Sequence, residues 1–409
     1  MNTEVEVFFL NLPGPAFTTT HPDTMQKSRI FYPKSAAKKV IKTARQLLDL
    51  GLKVALLPPQ KRPHIESMLQ LGFRGDPYAA SKKTFENLKD IFFALSAAGD
   101  RFLSDNIHFA AASDTENGRI NLLHTCSSAE EYRLIEHHAS KEMWQKALPN
   151  HLYVTQSSYL TTLPSLATQG SLYLKRLCRR LEEPGIYLLT QQSENQNARH
   201  VLFRQLRFLP ERLLSSTLKT EYPGYVCYKN LLFIHENTFK DTQSTIDALQ
   251  KRLADICNTD LLVITVKESE IPFEMAKKAA LFEIVPATLP DGGQTLFVSE
   301  NTLKNGLIQS YLGALIKNRE NPIREMHALD LHDPLETHIG LQRMILPLSF
   351  SRHAFRSINP SILFGDPLEE KLSDIIQSSY PDTLSLDMLC NSAFLKEADE
   401  VLEKLKPLL

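Results

Sequence analysis

Apolar positions along this chain alternate between two periods, and the alternation runs from end to end. Glu4 to Leu10 repeats every second residue, as a half-buried strand does. Ala36, Val40, Ile41, Ala44, Leu47 and Leu48 then fall on one face of a 3.6-residue helix, and Lys53 to Leu57 returns to a strand. That is a strand, helix, strand unit. After Leu57 come two prolines and a basic loop; Pro63 suits a first helical turn, Ile65, Met68, Leu69 and Leu71 form an apolar face, and Gly72 suits the C-terminal cap.

Hairpins are interleaved with such crossovers. Asn106 to Ala112 and Arg119 to Thr125 flank the turn signal Asn117-Gly118, and Gly224 to Tyr228 faces Leu231 to Glu236. A helix over Thr242 to Ile256 feeds the strongly apolar strand Leu261 to Val266. Asp291-Gly292-Gly293 turns between Leu281 to Ala287 and Thr295 to Val298, and a helix over Leu303 to Ile316 follows. The last 40 residues carry Leu368, Leu372, Ile375 and Ile376, then Phe394, Ala398, Val401 and Leu405, and predict two or three helices packed on the body. No linker or low-complexity stretch divides the chain, so the pattern predicts one α+β domain over residues 1–409 with mixed sheets.

Composition narrows the function classes. With 409 residues, 43% of them hydrophobic, the chain can bury a large core. Lys+Arg 46 against Asp+Glu 47 leaves a net charge of -1, so there is no global field to attract nucleic acid or an anionic membrane. The N-terminus is acidic where a secretory signal is basic, and its apolar run is too short to span a bilayer, which points to a cytoplasmic protein. Five dispersed cysteines (Cys126, Cys178, Cys227, Cys257, Cys390) without a CxxC predict reduced thiols and no metal site.

Four blocks carry a family resemblance: residues 36–73 with their two prolines, Arg62-Pro63 and Leu71-Gly72-Phe73; AASDTENGRINL at 111–122; EEPGIYLL at 182–189; and NPIREMHALDL at 321–331 followed by INPSI at 358–362. Together they closely resemble the bacterial N-succinylarginine dihydrolases over nearly the whole chain. The resemblance implies the pentein fold, a pseudo-fivefold α/β propeller of ββαβ modules, here with extra C-terminal helices. It implies a cofactor-free hydrolysis of N2-succinylarginine to succinylornithine, ammonia and carbon dioxide in arginine catabolism, a small succinylated or guanidino amino acid as ligand, and leans towards a homodimer.

Guanidine hydrolysis of this kind needs a thiolate nucleophile, a histidine to move protons and carboxylates to hold the cation. Where the resemblance places the family cysteine, this chain has Gly340, beside a loop altered to Pro334, Glu336 and His338. The family glutamate corresponds to Gln169, and the family His-Asn-Asp to about Thr220-Glu221-Tyr222. No catalytic residue is therefore expected at the family positions, and a degenerate member, a pseudoenzyme, is the first expectation. Asn106, Arg133 and Arg199 match substrate-binding positions, the two arginines suiting carboxylates, although Tyr132 stands where the family has a histidine. The alternative is an active amidine hydrolase with a relocated pair, Cys227 or Cys126 as nucleophile and His235 or His338 as base. A third possibility, an interaction module, has no motif of its own.

Overall fold

The computed structural model describes residues 4–16, 30–60, 107–125, 143–148, 152–157, 173–191, 196–331, 340–389 and 391–409. The helix expected after the prolines of residues 58–59 lies outside them.

Five three-stranded sheets share one connectivity. β1 (Glu4–Asn11) pairs parallel with β3 (Lys53–Leu57) through α1 (Pro33–Asp49) and antiparallel with β16 (Ile345–Ser351), near the other end of the chain. β4 (Ile107–Ala110), β5 (Ile120–Thr125) and β6 (Leu152–Ser157) repeat that order, as do β7 (Leu174–Cys178), β8 (Gly185–Gln191) and β9 (Leu213–Thr217) around α2 (Gln196–Gln205). β10 (Tyr225–Tyr228), β11 (Leu231–His235) and β12 (Leu262–Val266) follow with α3 (Thr242–Cys257). β13 (Val285–Thr288), β14 (Gln294–Ser299) and β15 (Ile323–Leu329) close the series with α4 (Gly306–Lys317). In each unit an antiparallel pair is followed by a parallel crossover, the pseudo-fivefold pentein pattern. A two-stranded ladder of β2 (Ile30–Phe31) and β17 (Leu384–Ser385), with α5 (Asp366–Ser379) and α6 (Ser392–Leu405), adds the expected C-terminal helices.

The three strand positions read differently in sequence because they meet different surroundings. Middle strands are covered on both faces: every residue of β8 and β11 is buried, and both are continuous apolar runs with one or two polar ends. Third strands form sheet edges. β12 shows the consequence, since its Leu262 and Val263 remain 39% and 36% exposed in a run that reads as strongly apolar.

Helix limits follow local chemistry. Asp241 accepts a hydrogen bond from the Ser244 N–H at 3.0 Å to open α3, and Asn258 closes it in the left-handed conformation. The continuous helix expected over Leu303 to Ile316 is instead two pieces, Glu300–Leu303 and α4. Asn305 causes the break: its Oδ1 accepts from the N–H groups of Leu307 (3.1 Å) and Ile308 (3.3 Å), capping a new helix. The hairpin between β4 and β5 pairs as expected, but its connection contains a 3-10 turn, Ala112–Asp114, beyond the Asn117-Gly118 corner. That turn carries a buried carboxylate described below.

Candidate functional site

The first strands of the five units, β4, β7, β10, β13 and β16, together line one axial cavity of about 170 Å³. Its walls are mostly apolar, among them Ile107, Phe109, Val285 and Leu346, and its polar groups include Glu6, Lys175, Cys227, Tyr228 and Gln342. Strand alternation explains why these residues meet there: Lys175 and its β10 neighbour Cys227 lie on the strands nearest the axis, one from each adjoining unit.

Gly340 stands just before β16, at the position where a nucleophilic cysteine is expected. It is backed by Glu283, whose Oε2 accepts the Gly340 N–H at 3.0 Å. A Cβ built on Gly340 falls 1.9 Å from the Glu283 Cβ and 2.8 Å from its Oε2. The space a side chain would need is therefore taken. Glu283 is itself buried at the end of a 3-10 turn, Leu281–Glu283.

The loop over Thr220–Tyr222 packs beside this pair. Tyr222 is buried, and its hydroxyl accepts the Phe282 N–H at 3.2 Å, which ties the Thr220–Tyr222 loop to the turn that holds Glu283. Tyr173 donates its hydroxyl to the Glu221 carbonyl. Burial, with Glu221 and Glu283 nearby, raises the Tyr173 hydroxyl well above its usual range, so it stays protonated. Thr220 Oγ1 faces the Tyr222 N–H at 3.3 Å and serves the loop's own turn. Of the other expected residues, Gln169, Asn106, Arg133, Cys126 and His338 lie outside the described residues.

Arg199 is not at the axis. It sits on α2, exposed, with Nη2 3.4 Å from the Leu213 carbonyl, and lines a separate groove of about 650 Å³ between β9 and α3 with Lys240 and Arg252. His235 is fully buried: Nδ1 accepts the Asn237 N–H at 3.0 Å and Nε2 reaches the Ile271 carbonyl at 2.9 Å. Both ring nitrogens are engaged with backbone, and Phe273 and Phe282 stand edge-on to the ring. Cys227 does line the axial cavity, but burial pushes its thiol up to about 12 against the opposing pull of Lys175.

Sequence reasoning missed Lys175, Glu283 and Gln342. Each had a visible signal, polar groups interrupting an apolar run: the Lys-Arg pair in SLYLKRLC, the lone Glu in ALFEIV and the Gln-Arg pair in GLQRMI. Gln342 links two of the units, since its Oε1 accepts from Lys175 Nζ and its Nε2 donates to the Ile284 carbonyl at 2.6 Å. Among the described residues, no group of three His, Cys, Asp or Glu side chains could hold a metal ion, and no helix is long and apolar enough to cross a membrane.

Comparison with known proteins bears on the family. The succinylarginine dihydrolase profile matches residues 20–212 and 225–409. The N-succinylarginine dihydrolase of Shewanella loihica is 24% identical over 400 residues, covering 91% of this chain and 88% of that one. That of Burkholderia thailandensis is 26% identical over 402 residues, covering 92% and 90%. Among solved structures, unliganded AgrE is similar with a TM-score of 0.47 and 14% identity, covering 84% of this chain and 39% of that one. With the profile matched over nearly its full length, and with one connectivity repeated in five sheets, the chain belongs to the succinylarginine dihydrolase family.

Proposed function

We propose that this member has lost guanidine hydrolysis and now acts by binding. The observation that carries the reading is the Gly340–Glu283 contact. A guanidinium carbon is a poor electrophile that needs a thiolate, and the position expected to supply it has neither sulfur nor room for a side chain. Glu283 already spends one carboxylate oxygen on the Gly340 N–H. Losing nucleophile and base together typically removes a factor of about 10⁴ to 10⁶ in rate.

The relocated-pair alternative is less well supported. A thiol pushed up to about 12 is almost wholly protonated at neutral pH, and His235, with both nitrogens bonded to backbone, has none left to take its proton. The ligand on this reading is a small succinylated or guanidino amino acid, in a cytoplasmic protein, with a homodimer as the assembly the family resemblance favours; the arginine-catabolic reaction itself belongs to the active relatives.

The test is ammonia release from N-succinylarginine by the purified protein and its Cys227→Ala variant. The expected result is no release above the protein-free rate. Steady release on the scale of about 1 s⁻¹, ordinary for an enzyme, overturns the reading, and its loss in Cys227→Ala would identify the relocated nucleophile. Thermal shift with succinylarginine, succinylornithine and arginine then asks which ligand is still bound.

A further inference from the structure

Lys175 is the group in the axial cavity that neither the fold nor the family chemistry accounts for. It is only 9% exposed, on β7, and its ammonium points to a neutral partner, Gln342 Oε1. Among the described residues, no carboxylate lies within salt-bridge distance of it. A buried lysine without a paired anion pays for desolvation by releasing its proton, and burial pushes Lys175 down from 10.5 to about 8, although Cys227 and Glu283 oppose the shift. The space in front of it is small, mostly apolar and lined by strands of all five units.

These features select the ligand chemistry. A guanidinium would meet an ammonium already in place, and a free anion would meet the carboxylate of Glu6 on the same wall. A neutral carbonyl compound meets neither penalty. We propose that Lys175 is a nucleophilic amine and that the axial cavity captures a small aldehyde or ketone as an imine.

The uncharged Nζ attacks the carbonyl carbon, forming the C–N bond while the C=O π pair moves onto oxygen. That oxygen takes a proton as nitrogen loses one, giving a carbinolamine. The C–O bond then breaks, water leaves with a second proton, and the nitrogen lone pair closes the C=N bond. The step is a condensation, so it needs no oxidant or reductant. Tyr228 and Glu6 line the same cavity, with the hydroxyl donating to Glu6 Oε2 at 3.0 Å, and they carry the protons. Cys227 stays a spectator, its thiol too weak an acid to compete.

The experiment treats the whole protein with acetaldehyde and sodium cyanoborohydride between pH 6 and 10, then maps N-ethylation by peptide mass spectrometry. At pH 7, a downward shift from 10.5 to about 8 raises the free-amine fraction of Lys175 by roughly 300-fold over an unperturbed lysine. Allowing for access, Lys175 is expected to label at least about tenfold faster than exposed Lys240 and Lys267, with a free-amine dependence that is half-maximal near pH 8 and levels off above about pH 9. Labelling of Lys175 no faster than those two, or a rate still climbing at pH 10, overturns the proposal. Lys175→Met should remove the fast phase and leave the slow one; if that variant fails to fold, the wild-type map alone decides. Ammonia release is not read here, so failure of this proposal leaves the loss of hydrolysis standing on its own test.

Discussion

Adding a side chain at position 340 should harm the protein, and the structure says by how much. In Gly340→Ala the new Cβ would sit 1.9 Å from the Glu283 Cβ, where ordinary contact begins at 3.4 Å. The two backbones must therefore separate by about 1.5 Å in a packed interior, which costs roughly 1–3 kcal/mol as overpacking. The same movement stretches the 3.0 Å bond from the Gly340 N–H to the Glu283 carboxylate, a charge-assisted contact contributing about 1.5–3 kcal/mol. The expected loss is roughly 3–5 kcal/mol. Urea unfolding followed by circular dichroism measures it, and a double-mutant cycle locates it. Glu283→Gly removes the opposing Cβ, so Gly340→Ala in that background should cost at least about 2 kcal/mol less than in the wild type. Glu283→Ala keeps the Cβ and removes only the carboxylate, so it should relieve the hydrogen-bond share alone, less than Glu283→Gly. A Gly340→Ala protein within about 0.5 kcal/mol of wild type, or equal relief from the two Glu283 variants, would refute the packing argument. Gly340→Cys should behave like Gly340→Ala and release no ammonia.

Asp114→Ala should be strongly destabilising, by about 3–5 kcal/mol in the same urea assay, because it strands the Arg176 guanidinium that lies 2.7 Å from the buried carboxylate and also frees the Gly185 N–H. Asn305→Ala should cost about 1 kcal/mol as a lost helix cap, with thermal unfolding as the readout. Lys175 makes stability depend on pH in a defined direction: its folded value near 8 lies below 10.5, so the unfolded chain binds more protons between those limits and stability rises with pH across that window. Below pH 8 the whole penalty, about 3 kcal/mol, is present. Comparing wild type with Lys175→Met isolates this contribution from that of Cys227, which acts in the opposite sense as its thiol is held protonated up to about 12. The wild type should gain on the variant between pH 8 and 10.5; a constant difference would show that Lys175 titrates normally.

Most of the scaffold was legible because strand and helix periods are local properties. Lys53–Leu57, the β10–β11 hairpin and α3 fall within a residue or so of their expected limits. What local pattern cannot express is closure: that β16 returns to β1, so that the first unit is completed from near the other end of the chain. The candidate site depends on that closure. Gly340 is reached from the resemblance, as the position where a nucleophile is expected, but Glu283 behind it, 57 residues away, is a tertiary neighbour with no sequence signal linking the two. The same holds for Lys175 and Gln342, which are 167 residues apart. Arg199 lines an outer groove away from the axial cavity, a placement that its residue type alone does not reveal.

Several of the described residues that carry the family resemblance have structural roles, so a sequence can stay recognisable as a member whatever its chemistry. AASDTENG supplies Asp114, and EEPGIYLL supplies Gly185, whose N–H donates to Asp114 Oδ1 at 2.6 Å. A Cβ at Gly185 would lie 2.8 Å from the Leu177 carbonyl and 2.9 Å from Arg176 Nε, so only glycine fits beside the ion pair that joins the second and third units. NPIREMHALDL begins with Asn321, which is buried and donates to the Leu315 carbonyl at 2.9 Å while accepting the Ile323 N–H at 2.8 Å, fixing the passage from α4 into β15. In INPSI, Asn359 accepts the Ser361 N–H at 3.1 Å and donates its own N–H to the Ala147 carbonyl. Those of Gly185 and Asn321 satisfy buried polar groups, and removing one partner there costs about 1–3 kcal/mol whatever the protein does. A sequence match built from such blocks therefore reports the scaffold, and activity has to be read from the few positions, Gly340 first among them, where the fold itself makes no demand for a nucleophile.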